Sequence, residues 1–163
     1  MSKRGQIYHN PKFRFHDGKI GNKLLILLNT PHKNEEYIFV KTTSNDKNRS
    51  SKPGCYKHPI FKQGEYYLHK GSTFLDQSTW VIVSDIYPIV RKSIDNNANW
   101  IKLKGMILPT NIVDKIIDCL FRFIGDDIPE IYEQSLRPSI NESILKLQEK
   151  FRSYILINCT LNL

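Results

Sequence analysis

Residues 23–43 read KLLILLNTPHKNEEYIFVKTT, and this stretch carries the strongest fold signal in the chain. Its first part is a short, continuous apolar run between polar residues, which is typical of a strand buried on both faces. Its last part, Tyr37–Thr43, is rich in β-branched and aromatic residues and also predicts a strand. The proline, asparagine and charged residues between the two parts indicate a turn. We therefore predict two strands joined by that turn.

The flanking sequence adds strands before and after this pair. Pro88 should place the end of one of them at a sheet edge, because proline cannot donate a ladder hydrogen bond. Residues 9–22 contain Pro, Gly, His and charges and predict a long mobile loop, and residues 44–59 predict a second, basic loop. The additional strands are predicted at residues 6–8, 65–69, 79–90 and 100–107.

The pattern becomes helical in the last third of the chain. Apolar residues recur at helical spacing over residues 112–124, with Thr110 as the N-cap and Gly125 as the stop. Strands followed by helices predict an α+β fold that is mainly β: a small curved antiparallel sheet or SH3-like barrel with C-terminal helices. The expected parts are a barrel domain at 1–125, an acidic linker at 126–138, and a C-terminal helix with an apolar tail at 139–163.

The net charge is concentrated in the first sixty residues. They contain 12 Lys and Arg against 4 Asp and Glu, whereas the rest of the chain contains 12 of each, so the first sixty carry the whole formal charge of +8. A concentrated positive field attracts a polyanion and releases its counterions on binding. Nucleic acid is therefore the predicted partner. The alternative is a lysine-rich chain whose charge serves only solubility.

Composition limits the other classes of protein. Hydrophobic content of 40% and charged content of 25% are ordinary for a globular domain. No apolar run approaches the ~18 to 20 residues that cross a bilayer, so no membrane partner is expected. The first residues lack the apolar stretch of a secretory signal, which favours a cytoplasmic location.

The cysteines do not suggest a disulfide framework or a metal site. Cys55, Cys119 and Cys159 are an odd, widely spaced set, which fits a reducing cytoplasm better than a disulfide scaffold. The Cys55-x-x-His58 pair has the spacing of half a zinc site, but no second pair matches it. We therefore predict no metal and no cofactor.

A series of short motifs runs through residues 3–125 in a fixed order. Together they resemble the MazF/Kid/PemK family of toxin endoribonucleases. The motifs are KRGQIY at 3–8, the apolar strand ending in Asn at 23–29, Thr43-Ser44, LHKGS at 68–72, Asp76-Gln77, and ILP at 107–109 before the helix.

This resemblance implies an SH3-like barrel that cleaves single-stranded RNA without a metal. It also implies a homodimer that an antitoxin or other regulatory protein neutralises, in a toxin–antitoxin or defence system. The RNA 2′-hydroxyl is the nucleophile in such a reaction, so the site needs a base, an acid and a cation over the phosphorane. By the family pattern, Asp76 is the catalytic carboxylate, and Thr43 and Ser44 orient the phosphate.

Two cationic positions of the family pattern are changed in this chain. Asn22 stands where the catalytic arginine is expected, and Phe74 stands where the Kid branch has a second arginine. Lys19, Lys23 and Arg14 are the candidates to supply the missing charge. Lysine is a point charge and cannot make the planar bidentate contact of arginine with phosphate. The predicted catalytic set is therefore Thr43, Asp76, Lys23 and Lys19.

Aromatic and basic residues alternate in the first predicted loop. Phe13 and Phe15, flanked by Arg14 and His16, are expected to stack on RNA bases, and Lys47 adds charge in the second loop. His16 is also a candidate acid or base, because histidine changes charge near neutral pH. The alternatives are ordinary ones: aromatic core packing, solvated lysines, a surface histidine, a strand end at Thr43-Ser44, and a turn at Asp76.

Two functions from different classes follow from the sequence. The first is an active endoribonuclease toxin. The second is a catalytically degenerate MazF-like module that binds RNA or a regulatory protein, which the two missing arginines favour.

Overall fold

The computed structural model describes residues 2–32 and 34–137. Within these residues, a seven-stranded antiparallel sheet with three helices makes the fold α+β and mostly β, which confirms the predicted class. The strands are β1 (Gln6–Arg14), β2 (Ile20–Leu27), β3 (Tyr37–Thr43), β4 (Gly54–Lys57), β5 (Gly64–Leu68), β6 (Thr79–Ile89) and β7 (Ile101–Ile107). The helices are α1 (Arg91–Asp95), α2 (Thr110–Ile124) and α3 (Glu130–Leu136).

The order of strands across the sheet is β4-β5-β6-β3-β2-β1-β7, so β2 and β3 lie inside it. Leu25 and Leu27 pack with Phe39 in an aromatic cluster on one face. Ile26 and Ile38, which alternate with them and lie on the opposite face, are also buried. The prediction of two strands is therefore confirmed, and so is the burial of the first of them on both faces.

Aromatic rings fill the core on one face of the sheet. Phe13 lies at the centre of this cluster and makes edge contacts with Tyr87 at 4.9 Å and Trp100 at 6.0 Å between ring centroids. Trp100 stacks on Phe39 at 5.1 Å, and Tyr8 meets the edge of Phe39 at 5.3 Å. Such pairs stabilise a core by about 0.5–1.5 kcal/mol each beyond their buried area.

The long mobile loop predicted at residues 9–22 is wrong. β1 and β2 form a hairpin that pairs as far as Arg14 and Ile20, and only residues 15–19 form its turn, the hairpin tip. Pro11 suggested a loop, but it lies where the register shifts between Asn10 and Phe13. A bulge of this kind accepts a proline, because the ladder is already interrupted there.

Pro88 lies in a one-sided stretch of β6. It pairs with Ile38 on β3, whereas β5 pairs only with Thr79–Ile82 at the other end of β6. This end of β6 therefore has a neighbouring strand on one side only, as expected for a proline at a sheet edge. The second predicted loop, residues 44–59, contains the short strand β4 at Gly54–Lys57.

Helix α2 has the predicted extent and packs against β6, β5 and β4. Its N-cap is Pro109 rather than Thr110, which is the first helical residue, and Gly125 is its C-cap as predicted. The buried face carries Val113, Ile116, Ile117, Cys119 and Leu120.

Cys119 on this face forms a disulfide with Cys55 of β4, with Cα atoms 5.5 Å apart and a sequence separation of 64. The prediction of free thiols is wrong for this pair, because sequence spacing does not show which elements pack together. Disulfides are uncommon in a reducing cytoplasm, so the cellular location stays a prediction.

The segment 126–138, predicted as a linker, contains a helix. A turn of 3-10 helix at Gly125–Asp127 precedes α3, which has Pro129 at its N-cap and Glu130 and Glu133 in its first turn. Acidic side chains there favour the helix dipole. The chain divides into two units between Ile128 and Pro129. The predicted C-terminal helix and tail at 139–163 lie outside the described residues.

No helix within the described part of the chain has both the length and the apolar character needed to span a membrane.

Candidate functional site

An open cleft of about 520 Å³ lies beside the hairpin tip, and we call it the basic cleft. Four cationic side chains line it: Lys19 from the hairpin tip, Lys23 from β2, Lys41 from β3, and Arg49 from the segment before β4. Thr43, at the end of β3, lies in the same wall. Strand pairing therefore gathers positive charges that are up to thirty residues apart in sequence.

Lys23 is half-buried among these cations. Its ammonium donates a hydrogen bond to the carbonyl oxygen of Thr42 at 3.3 Å. Burial lowers the pKa of Lys23, and the charges of Lys41 and Arg49 lower it further. An anion in the cleft would offset this repulsion and stabilise the charged form.

Lys41 is held by aromatic and acidic groups. Its ammonium donates to the Tyr87 hydroxyl at 3.0 Å and lies 3.8 Å from a carboxylate oxygen of Asp85. It also lies over the rings of Phe15 and Tyr87, at 5.6 and 5.5 Å from the ring centroids. Lys23 approaches the same Phe15 ring at 5.8 Å, so Phe15 supports two cations.

A histidine and a carboxylate form a pair in the same cleft. The Nε2 atom of His16 lies 2.9 Å from Oδ1 of Asp85 and 3.3 Å from the carbonyl oxygen of Ile86. The imidazole stacks on Tyr87, with ring centroids 4.3 Å apart and planes 7° apart. The His16 side chain is still 59% exposed. Protein groups thus hold the ring at Nε2, while the rest of the ring stays accessible. Proton transfer to or from a bound molecule requires both the fixed orientation and the access.

Tyr87 stays protonated beside this pair. Burial, followed by its hydrogen bond with Asp85 and the charge of that carboxylate, raises the pKa of Tyr87. Asp85 therefore contacts His16, Lys41 and Tyr87, and it fixes the arrangement of all three.

Arg49 reaches the cleft from a buried ion pair. Its Nε atom donates to Glu65 at 3.1 Å, and another guanidinium nitrogen donates to the carbonyl oxygen of Asn45 at 2.6 Å. Glu65 is fully buried and also accepts hydrogen bonds from Gln63 at 2.6 Å and from the Tyr56 hydroxyl at 2.5 Å. Burial and this contact with Glu65 raise the pKa of Tyr56. The carboxylate is fully satisfied and holds Arg49 in place.

A second cleft, of about 330 Å³, continues from the basic cleft and shares Lys23 and Thr43 with it. We call it the amide cleft, because Asn22, Asn45 and Gln77 line it. Its remaining lining residues are Leu24, Thr42, Ser44, Leu75, Asp76 and Thr79.

A third cleft, of about 350 Å³, shares Ser44, Asp76 and Gln77 with the amide cleft and also has Lys70 in its wall. The three clefts therefore follow one another along the surface as a groove. Four of the five Lys and Arg side chains that line this groove lie at the basic cleft, together with the carboxylates of Asp85 and of Asp17, which pairs with Lys19 at 2.9 Å.

The structure brings part of the predicted site together. The basic cleft contains Lys19, Lys23, Thr43, Phe15 and His16. Asp76 and Ser44 line the amide cleft, where they share a wall with Lys23 and Thr43. The predicted catalytic residues are thus spread over two adjoining clefts rather than gathered around one point.

Three other residues that were predicted to contact RNA lie outside these two clefts. Phe13 is 2% exposed and belongs to the aromatic core, so its assignment to RNA bases is wrong; the hairpin turns it inward. Arg14 is exposed but lines a different cleft, of about 470 Å³, with Lys12 and Trp100. Lys47 is exposed in the segment after β3, and its backbone N–H donates to the Asn45 side chain. It lines none of these clefts.

The residues of the basic cleft that the sequence does not predict include Lys41, Arg49, Asp85 and Tyr87. Two of them carried a local signal. Lys41 and Asp85 are charged residues inside apolar strands, and such a charge needs a partner or a function.

No protein-family model matches the chain, and a search of curated proteins finds no match for it. Within residues 2–32 and 34–137, no group of three or more His, Cys, Asp or Glu side chains is arranged to hold a metal ion.

Proposed function

We propose that this chain is a MazF/PemK-like endoribonuclease that binds single-stranded RNA along the groove and cleaves it at the basic cleft without a metal. The observation that carries the proposal is the convergence of three lysines, Arg49 and Thr43 on an open cleft that also contains the His16–Asp85 pair. In this proposal the protein works as a cytoplasmic homodimer in a toxin–antitoxin or defence system, and an antitoxin protein neutralises it.

The chemistry divides among these residues. Lys41 and Lys19 attract the phosphodiester, and the Thr43 hydroxyl hydrogen-bonds one of its oxygens. His16, oriented by Asp85, accepts the proton of the RNA 2′-hydroxyl, whose oxygen then attacks the neighbouring phosphorus atom. Lys23 donates a proton to the departing 5′ oxygen, a role that its lowered pKa favours. The products are a 2′,3′-cyclic phosphate and a free 5′-hydroxyl.

A second candidate is a module that binds RNA or a regulatory protein and does not cleave. A specific observation favours it: the one arginine that lines the basic cleft, Arg49, is already paired with Glu65. The Nε edge of that guanidinium is therefore not free to make a bidentate contact with phosphate.

Cleavage of RNA by the purified protein in the presence of EDTA tests the proposal. A mixed-sequence single-stranded RNA should be cut at discrete sites and should yield cyclic phosphate ends. The Thr43→Ala and Lys23→Gln variants should cut at least about 10-fold more slowly, because each loses a contact that stabilises the transition state. Lys115→Gln is the matched control, since this exposed lysine lies on α2, away from the groove.

Three outcomes contradict the proposal. RNA that is bound but stays intact would favour the non-cleaving module in its RNA-binding form, and RNA that is neither bound nor cut would exclude both the nuclease and that form of the module. If the Thr43→Ala variant cleaved RNA as fast as the Lys115→Gln variant, the cleavage would point to a contaminating nuclease.

A further inference from the structure

Asp76 lies in surroundings that do not suit a phosphate. It is an exposed carboxylate in the amide cleft, and no described residue forms an ion pair or a hydrogen bond with its side chain. A carboxylate repels the phosphodiester backbone that the neighbouring lysines attract. A strand that passes from the basic cleft into the amide cleft would therefore meet Asp76 through a base rather than through a phosphate.

The amides beside Asp76 are positioned as donors. The Asn22 Oδ1 atom accepts a hydrogen bond from Nε2 of His9 at 2.7 Å, and the Asn45 Oδ1 atom accepts one from the Lys47 N–H at 3.0 Å. No described residue accepts a hydrogen bond from the NH₂ group of either amide. The cleft therefore presents amide N–H donors next to an unpaired carboxylate.

Apolar side chains complete the amide cleft. Leu24 and Leu75 are both half-buried and line it together with the polar groups. They offer a surface for the flat face of a base, while Asp76 and the amides reach its edge. Single-stranded RNA is commonly read in this way, by hydrogen bonds to the Watson–Crick edge of an unstacked base.

We infer that the amide cleft selects guanine in the RNA strand, with Asp76 as the residue that determines specificity. The inference rests on the proposed function, because it needs an RNA strand in the groove. Guanine offers two adjacent donors, N1–H and N2–H, to a carboxylate, and its O6 atom accepts from an amide N–H. Adenine, cytosine and uracil each place an acceptor where guanine has one of these donors, so the carboxylate repels them.

Binding of uncleavable RNA tests the inference. The probes are U-rich oligomers of equal length, methylated at every 2′-oxygen, that carry one G, one A, one C or no substitution. The G oligomer should bind about 10- to 100-fold more tightly than the others, which is the usual range for a bidentate base contact. Asp76→Asn should remove most of this preference. Asp126→Asn, at another exposed carboxylate in the turn after α2, should keep it.

The outcomes separate this inference from the proposed function. Equal affinity for all oligomers, together with cleavage of ordinary RNA, would overturn guanine selection and leave the nuclease proposal standing. A preference for guanine that survives in Asp76→Asn would also overturn it. Loss of all cleavage in Asp76→Asn with unchanged base preference would return Asp76 to a catalytic role. Absence of both binding and cleavage would overturn the two proposals together.

Discussion

Replacing His16 with alanine should lower the rate of RNA cleavage by about 10²- to 10⁴-fold, the usual contribution of a positioned acid or base. RNA affinity should change little, because the lysines of the basic cleft remain. Asp85→Asn should act in the same direction, since the carboxylate orients the imidazole through a contact of 2.9 Å. Single-turnover cleavage of an end-labelled RNA, measured beside its equilibrium binding, separates the two effects.

His32 provides a matched control for this prediction. It is exposed and lies outside the three clefts, so His32→Ala should cleave RNA at the unmodified rate. A His16→Ala variant that keeps full cleavage activity would remove the histidine from the mechanism. If RNA affinity fell as much as the rate, His16 would be a binding residue instead.

Breaking the disulfide between Cys55 and Cys119 should lower the free energy of unfolding by about 4 kcal/mol, because the bond closes a long loop in the unfolded chain. The bond joins residues with a sequence separation of 64 and ties the edge strand β4 to α2. The double variant Cys55→Ser/Cys119→Ser and the reduced protein should show the same loss. Urea unfolding with and without a reductant measures it, with the slope of the transition as a check on two-state behaviour.

The double serine variant is the control for effects of the reductant itself. Added to the double serine variant, it should not shift the urea midpoint further, because the bond is already absent. Coincident unfolding curves for the oxidised and reduced protein would show that this crosslink does not stabilise the fold. Tyr56, beside Cys55, is a hydrogen-bond partner of Glu65, so a loosened β4 should also weaken the positioning of Arg49.

The sequence predicts those elements of the fold whose secondary structure is determined by their pattern of buried apolar residues. The short apolar run into Leu27 favours a buried strand, the spacing of Ile116, Ile117 and Leu120 favours a helix, and the structure has both. β1 was underestimated because Pro11 and its charged neighbours imitate a loop. A bulge resolved that conflict, and a bulge depends on the partner strand rather than on the local sequence.

The candidate site was harder to predict because it is built across strands. Lys23, Lys41 and Asp85 belong to three different strands, and only the order β6-β3-β2 brings them to one cleft. The same limit applies to the cysteines. Cys55 and Cys119 are distant in sequence, and their pairing follows from the packing of α2 on β4.

The dependence of RNA affinity on salt concentration tests the central claim, that the basic cleft holds a phosphodiester backbone. Three lysines in contact with phosphates should give a slope of log K against log salt of about −2, and each Lys→Gln substitution at Lys19, Lys23 or Lys41 should reduce it by about 0.7. Lys115→Gln should leave the slope unchanged. The account would be contradicted if none of the three cleft substitutions changed the slope by more than Lys115→Gln does.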